Sequence, residues 1–161
     1  MMNLGWCAPP RRIDAQTARQ NVHKQHDRIR GLLDRARVVA ELALDGHAPS
    51  ADAVASAIGN IHTTITVHLA FEESVLLPIL NDDLPLGPER ARRLVEEHAH
   101  QRTMLEALHR EACAGPLVPT LAAKLAFLTS WLLTDMEEEE RTLVTPETVR
   151  DDAIIIDQDG G

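Results

Sequence analysis

Three histidines and three carboxylates stand where a regular apolar periodicity calls for aliphatic side chains. Any acceptable fold has to bring them partners, because an isolated buried charge is too costly to leave unmet. Val22, His26, Ile29, Leu33 and Ala36 form the first stripe, and Ile58, Ile61, Ile65, His68, Glu72, Val75 and Ile79 the second. Leu94, His98, Gln101, Leu105 and Leu108 form a third, followed by Leu121, Leu125, Leu128, Leu132, Asp135, Glu139 and Leu143. Residues three and four apart share one face of an α-helix, so each stripe is a helix face and each polar interruption lies on a buried side.

The segments between the stripes carry stop and start signals. A first helix is predicted over about Thr17 to Leu44, stopped by Asp45-Gly46. Ser50 is placed to cap a second helix running to about Leu80, which Pro78 should kink or terminate. Pro88 suits the first turn of a third helix ending near Gly115-Pro116, and a fourth spans about Thr120 to Val144, stopped by Thr145-Pro146. Four long helices joined by short turns give an all-α, up-down-up-down four-helix bundle. The chain divides into an N-terminal extension (1–16), the bundle (17–146) and an acidic C-terminal tail (147–161). Within that tail, Ala153-Ile-Ile-Ile156 is the only run with any strand character.

Composition narrows the function. A formal charge of −9 with no basic cluster argues against nucleic acid and anionic membranes, which are bound by neutralising phosphates with Lys and Arg. No apolar stretch is expected to approach the length of a membrane span, and residues Met1 to Arg19 lack the apolar run of a secretory signal, so a cytoplasmic protein is expected. Cys7 and Cys113 are too few and too far apart for a disulfide framework or a zinc-thiolate site. The chain has no tyrosine, which removes tyrosine ligation.

The interruptions follow an order: His26, then His68-x-x-x-Glu72-Glu73, then His98, then Asp135-x-x-x-Glu139-Glu140. A lone histidine on an apolar stripe is more often a hydrogen-bonded core residue than a ligand. Four stripes each interrupted by ligand-type residues, in the same order twice, point instead to a metal site built in a bundle core. Imidazole and carboxylate donors suit iron, manganese or zinc. His26, His68, Glu72, His98, Asp135 and Glu139 are the candidate ligands, with Glu72 and Glu139 placed to bridge two metals. His62, His23, His100 and His109 are read as surface or supporting residues, Glu73 as an exposed glutamate in preference to support for a ligand, Glu137 to Glu140 as a solvated face apart from Glu139, and Trp131 as core.

At these residues the chain resembles the hemerythrin-like, or HHE cation-binding, family. The matching elements are His26-Asp-Arg-Ile-Arg-Gly-Leu-Leu33, His68-x-x-x-Glu72-Glu73-x-x-Leu76-Leu77-Pro78, Glu96-Glu97-His98 and Glu139-Glu140-x-x-Leu143, over about residues 17 to 146. The His-x-x-x-Glu step differs from the Glu-x-x-His step of ferritin-like bundles. The resemblance implies a non-heme di-iron centre that meets oxygen, peroxide or nitric oxide, in a protein that carries or senses such ligands or handles iron. Two departures bear on this. Asp135 stands where the family's fourth-helix motif usually has histidine, making the site more anionic and shifting preference towards Mn, Mg or a high-valent iron pair. Arg102 stands one turn after His98, where the oxygen carriers have a further histidine, so one metal is expected to keep an open position. The rival expectation is a degenerate bundle that binds one non-redox cation or none, closes its site with an Asp135–Arg102 ion pair, and serves as a protein-interaction module.

Overall fold

The computed structural model describes residues 13–47, 51–83, 86–115 and 118–149. It contains four helices: α1 (Ala15–Leu44), α2 (Ala51–Asp83), α3 (Gly87–Cys113) and α4 (Val118–Thr142). No strand occurs among the described residues; Ser50 and Ala153–Ile156 lie outside them, as does most of both expected terminal segments.

Each helix begins and ends for a local reason. Asp14 caps α1 by accepting the Thr17 backbone N–H at 2.8 Å, so the helix starts slightly before the expected Thr17. Pro88 lies in the first turn of α3, where its missing N–H costs nothing. Gly46 and Gly115 follow the ends of α1 and α3 with φ of 74°, a left-handed conformation that L residues with a Cβ resist.

α3 packs chiefly on α2 and α4 chiefly on α1, while α1 and α2 also pack together and α3 meets α4 at few points. The result is an up-down bundle with one loosely closed seam, between α3 and α4. Ile29, Leu33, Ile58, Ile61, Ile65, Leu105, Leu125 and Leu128 build the main core, and Ala18, Val22, Leu76, Leu80, Leu94 and Val144 build a second cluster at the other end. The polar stripe residues lie where the two clusters meet along each helix, with Leu69 and Met136 of the main core among them. Val149 belongs to the second cluster, and its carbonyl accepts a hydrogen bond from Arg19, so packed chain extends past the expected boundary at residue 146.

Two expectations are corrected here. Pro78 neither ends α2 nor starts its last turn: the helix continues to Asp83. Val75, Leu76 and Leu80 are buried on both sides of the proline, and that packing holds the helix across one missing hydrogen bond. α2 is also long and apolar enough over Ala51–Asn81 to pass for a membrane span, contrary to the expected absence of any such stretch. Val54, Ile58, Ile61, Ile65 and Leu69 of that helix are all core residues.

Candidate metal centre

Three imidazoles converge on one carboxylate. Glu72, fully buried on α2, has Oε1 3.2 Å from His26 Nε2 and 3.1 Å from His68 Nε2, while its Oε2 lies 3.4 Å from His98 Nε2. His68 and Glu72 meet because residues four apart on a helix stack on one face. His26 reaches them from α1 and His98 from α3. Glu139 completes the cluster from α4, with Oε2 3.6 Å from His26 Nε2. Donor atoms of His26, His68, Glu72 and Glu139 all lie within 4.8 Å of one another.

The other nitrogen of each histidine is already committed. His26 Nδ1–H donates to Glu140 Oε1 at 2.8 Å, His98 Nδ1–H to Glu73 Oε1 at 3.1 Å, and His68 Nδ1–H to the Gln25 amide oxygen at 3.0 Å. A neutral imidazole with its proton on Nδ1 presents a lone pair at Nε2. Three such lone pairs facing carboxylate oxygens repel them unless a cation, proton or metal, lies between. Glu72 Oε2 and Glu139 Oε1 are moreover buried with no hydrogen-bond partner. Orphaned buried oxygens beside oriented Nε2 atoms are the arrangement a nitrogen- and oxygen-ligated divalent metal would satisfy, so the donor set fits the cation that the sequence implies.

The electrostatics agree. Burial pushes Glu72 up, but the imidazoles of His26, His68 and His98 that face it outweigh burial and hold the carboxyl well below its ordinary range. Burial likewise pushes His26 down, and Glu72 and Glu140 more than offset that, leaving it raised. Glu139 is raised well above an ordinary carboxyl, first by burial and then by the negative charge of Glu72 and Asp135. Asp135 is raised by burial and by Glu97. Without a cation, the cluster holds more negative charge than it can keep ionised.

Asp135 is half-buried and accepts a hydrogen bond from Gln101 Nε2 at 2.5 Å. With His98 and Glu139 it lines a cavity of about 380 Å³ in the α3–α4 seam, together with Glu97, Leu94 and Leu143. The expected Asp135–Arg102 ion pair does not form. Arg102 instead donates to Glu73 Oε1 at 2.7 Å, the same oxygen that holds His98. Arg30, one turn after His26, donates to Glu140 Oε2 at 2.8 Å, while His26 holds Oε1.

The second glutamate of each pair therefore has its own task, which sequence reasoning missed. Glu73 on α2 orients His98 on α3, and Glu140 on α4 orients His26 on α1. Both are largely sheltered, not solvated, because each sits between an imidazole and an arginine; Arg102 draws Glu73 below the usual carboxylate range. The signal was present as a second repeat, His26-x-x-x-Arg30 and His98-x-x-x-Arg102. His62 and His109 stay apart from the cluster and stack on each other with ring centroids 4.5 Å apart, and His100 meets Trp131 edge-on.

A carboxylate that accepts the outer N–H of a ligating imidazole fixes its tautomer and raises its basicity, and losing it typically costs about 10- to 100-fold in metal affinity. Glu140→Gln and Glu73→Gln are each expected to weaken metal binding by about that factor with helical content unchanged. Chelator competition with circular dichroism checks this; unaltered affinity in both variants would remove the orienting role.

The model of one protein family, described as Hemerythrin HHE cation binding domain, matches residues 17–145, most of the chain. No curated protein and no solved structure matches it.

Proposed function

Because the chain belongs to the hemerythrin HHE cation-binding domain family, we propose that its six candidate ligands hold two divalent metal ions, iron in the first instance, and that the protein senses or handles oxygen, peroxide, nitric oxide or iron. The observation that carries this reading is the convergence of three Nε2 atoms on Glu72, each histidine already satisfied at Nδ1. In this reading His26 and His68 serve one position and His98 and Asp135 the other. Glu72 and Glu139 serve both. Manganese and zinc suit the same donors.

When bound, a redox-active pair supplies electrons and an open coordination position to a small ligand. The protein's part is to fix the tautomer of three imidazoles and aim their Nε2 atoms, through Glu140, Gln25 and Glu73, and to exclude water from His26 and Glu72, both fully buried. Arg102 serves that purpose through Glu73, leaving the His98 end one donor poorer than in the oxygen carriers. A cytoplasmic setting belongs to the same reading and rests on composition.

Protein loaded anaerobically with Fe(II) should change its near-ultraviolet and visible absorption on exposure to at least one of oxygen, peroxide and nitric oxide, and His68→Ala should abolish the change. An iron-loaded protein inert to all three would overturn the redox reading.

A further inference from the structure

The two ends of the cluster differ in how they meet solvent. His26 and Glu72 are fully buried and His68 nearly so, with helices packed tightly around them. The other end opens on the cavity of about 380 Å³ in the sparse α3–α4 seam, lined by His98, which is as buried as His68, and by Asp135 and Glu139, which are only half-buried. Glu139 Oε1 is buried there and has no hydrogen-bond partner. The charged groups facing this space are Glu89, Glu97, Asp135, Glu138, Glu139, Arg90 and Arg93. Glu89 is tied to Arg92 and Glu138 to Arg141, which leaves Glu97, loosely held by Arg93 at 3.8 Å, as the outer carboxylate on the way to Asp135 and Glu139.

Resting on the reading of a two-cation centre, we infer that the two positions are kinetically unequal: the His26–His68 position holds its ion, and the His98–Asp135 position exchanges divalent cations with solvent through the α3–α4 cavity, with Glu97 as the carboxylate that draws them in. An acidic vestibule with low-dielectric walls concentrates cations and raises their rate of entry. One imidazole there instead of two, at the end that opens on the cavity, lets them leave. The vestibule does not suit an anionic substrate, because its five carboxylates outnumber Arg90 and Arg93 even with the Arg92 and Arg141 that tie Glu89 and Glu138 counted in. The exchanging position makes the protein responsive to free divalent metal as well as to a ligand of the bound centre.

The test uses the full chain loaded with Zn(II), which removes redox chemistry, and follows transfer to an excess of a chromophoric chelator. Two phases of equal amplitude are expected, the faster by about tenfold or more, comparable to the effect of a lost supporting group on metal affinity. Asp135→Asn should remove the fast phase and leave the slow one, and Glu97→Gln, which is no ligand, should slow refilling of the fast position on the order of tenfold in low salt and less in high salt. Two ions leaving at one rate, or Asp135→Asn abolishing the slow phase, would overturn the inference while leaving the two-metal reading intact. Only one tightly held ion, insensitive to Asp135→Asn, would overturn it too. A protein that takes up no Zn(II), Mn(II) or Fe(II) would overturn the reading on which it rests.

Discussion

Glu72→Gln is expected to lower metal affinity by more than about 100-fold at both positions, since loss of even an outer supporting carboxylate costs about 10- to 100-fold. Among the described residues no other touches all three imidazoles: Oε1 faces His26 and His68, and Oε2 faces His98. Gln has the same shape but no charge, and an amide that presents a donor to Nε2 competes with a metal for the lone pair. The helix itself should survive, because Leu69, Val75, Leu76 and Leu80 keep α2 packed. Isothermal titration with Mn(II) or Zn(II), with circular dichroism as the control for folding, separates this from unfolding. A variant that still takes up metal with native affinity would show that Glu72 is a core carboxylate and not the shared ligand.

The second large effect is on stability, and its sign depends on pH. In the metal-free protein Glu139, Asp135 and His26 are all raised from ordinary values of 4.5, 3.8 and 6.5. A raised group stabilises the fold below its unfolded pKa and loses that contribution as pH climbs through its folded one. Glu72 works in the opposite direction, and its contribution disappears only as pH falls below the ordinary carboxyl range. The metal-free bundle should therefore be most stable in mild acid and weaken from about pH 5 towards pH 8. Metal reverses the trend, because ligands must shed protons to bind it. At a free metal concentration of about 1,000 times Kd the stabilisation is about 4 kcal/mol, which for a domain of this size raises Tm by roughly 10 °C. Thermal unfolding at pH 5.5 and 7.5, with and without a chelator, should show a metal-dependent gap that widens with pH. Parallel pH dependences in the two forms would contradict the linkage.

Much of the fold was legible because it rests on burial. His26, His68, Glu72 and His98 are buried where the stripes placed them, and the helix ends at Leu44 and Cys113 fall beside the glycines that mark them. Termination at Pro78 fails because Val75, Leu76 and Leu80 pack α2 on both sides of it, which only the tertiary structure reveals.

The site was legible in its inner layer and not in its outer one. An inward-facing residue betrays itself by interrupting an apolar period, as Glu72 does. Glu73 and Glu140 interrupt nothing: they lie one position off the stripe, where an acid is ordinary, and only contact with His98 and His26 gives them a task. Arg102 was misassigned to Asp135 for the same reason. Its guanidinium reaches Glu73 on the neighbouring helix, a choice set by how α2 and α3 pack.

The central claim, that one bundle core gathers His26, His68, Glu72, His98, Asp135 and Glu139 around two cations, is tested most directly by metal content. Protein loaded anaerobically with Fe(II), and separately with Mn(II) and Zn(II), then desalted, should retain about two equivalents per chain for at least one of these metals, as the nitrogen and oxygen donor set requires. Retention of no stoichiometric metal in all three cases would contradict it.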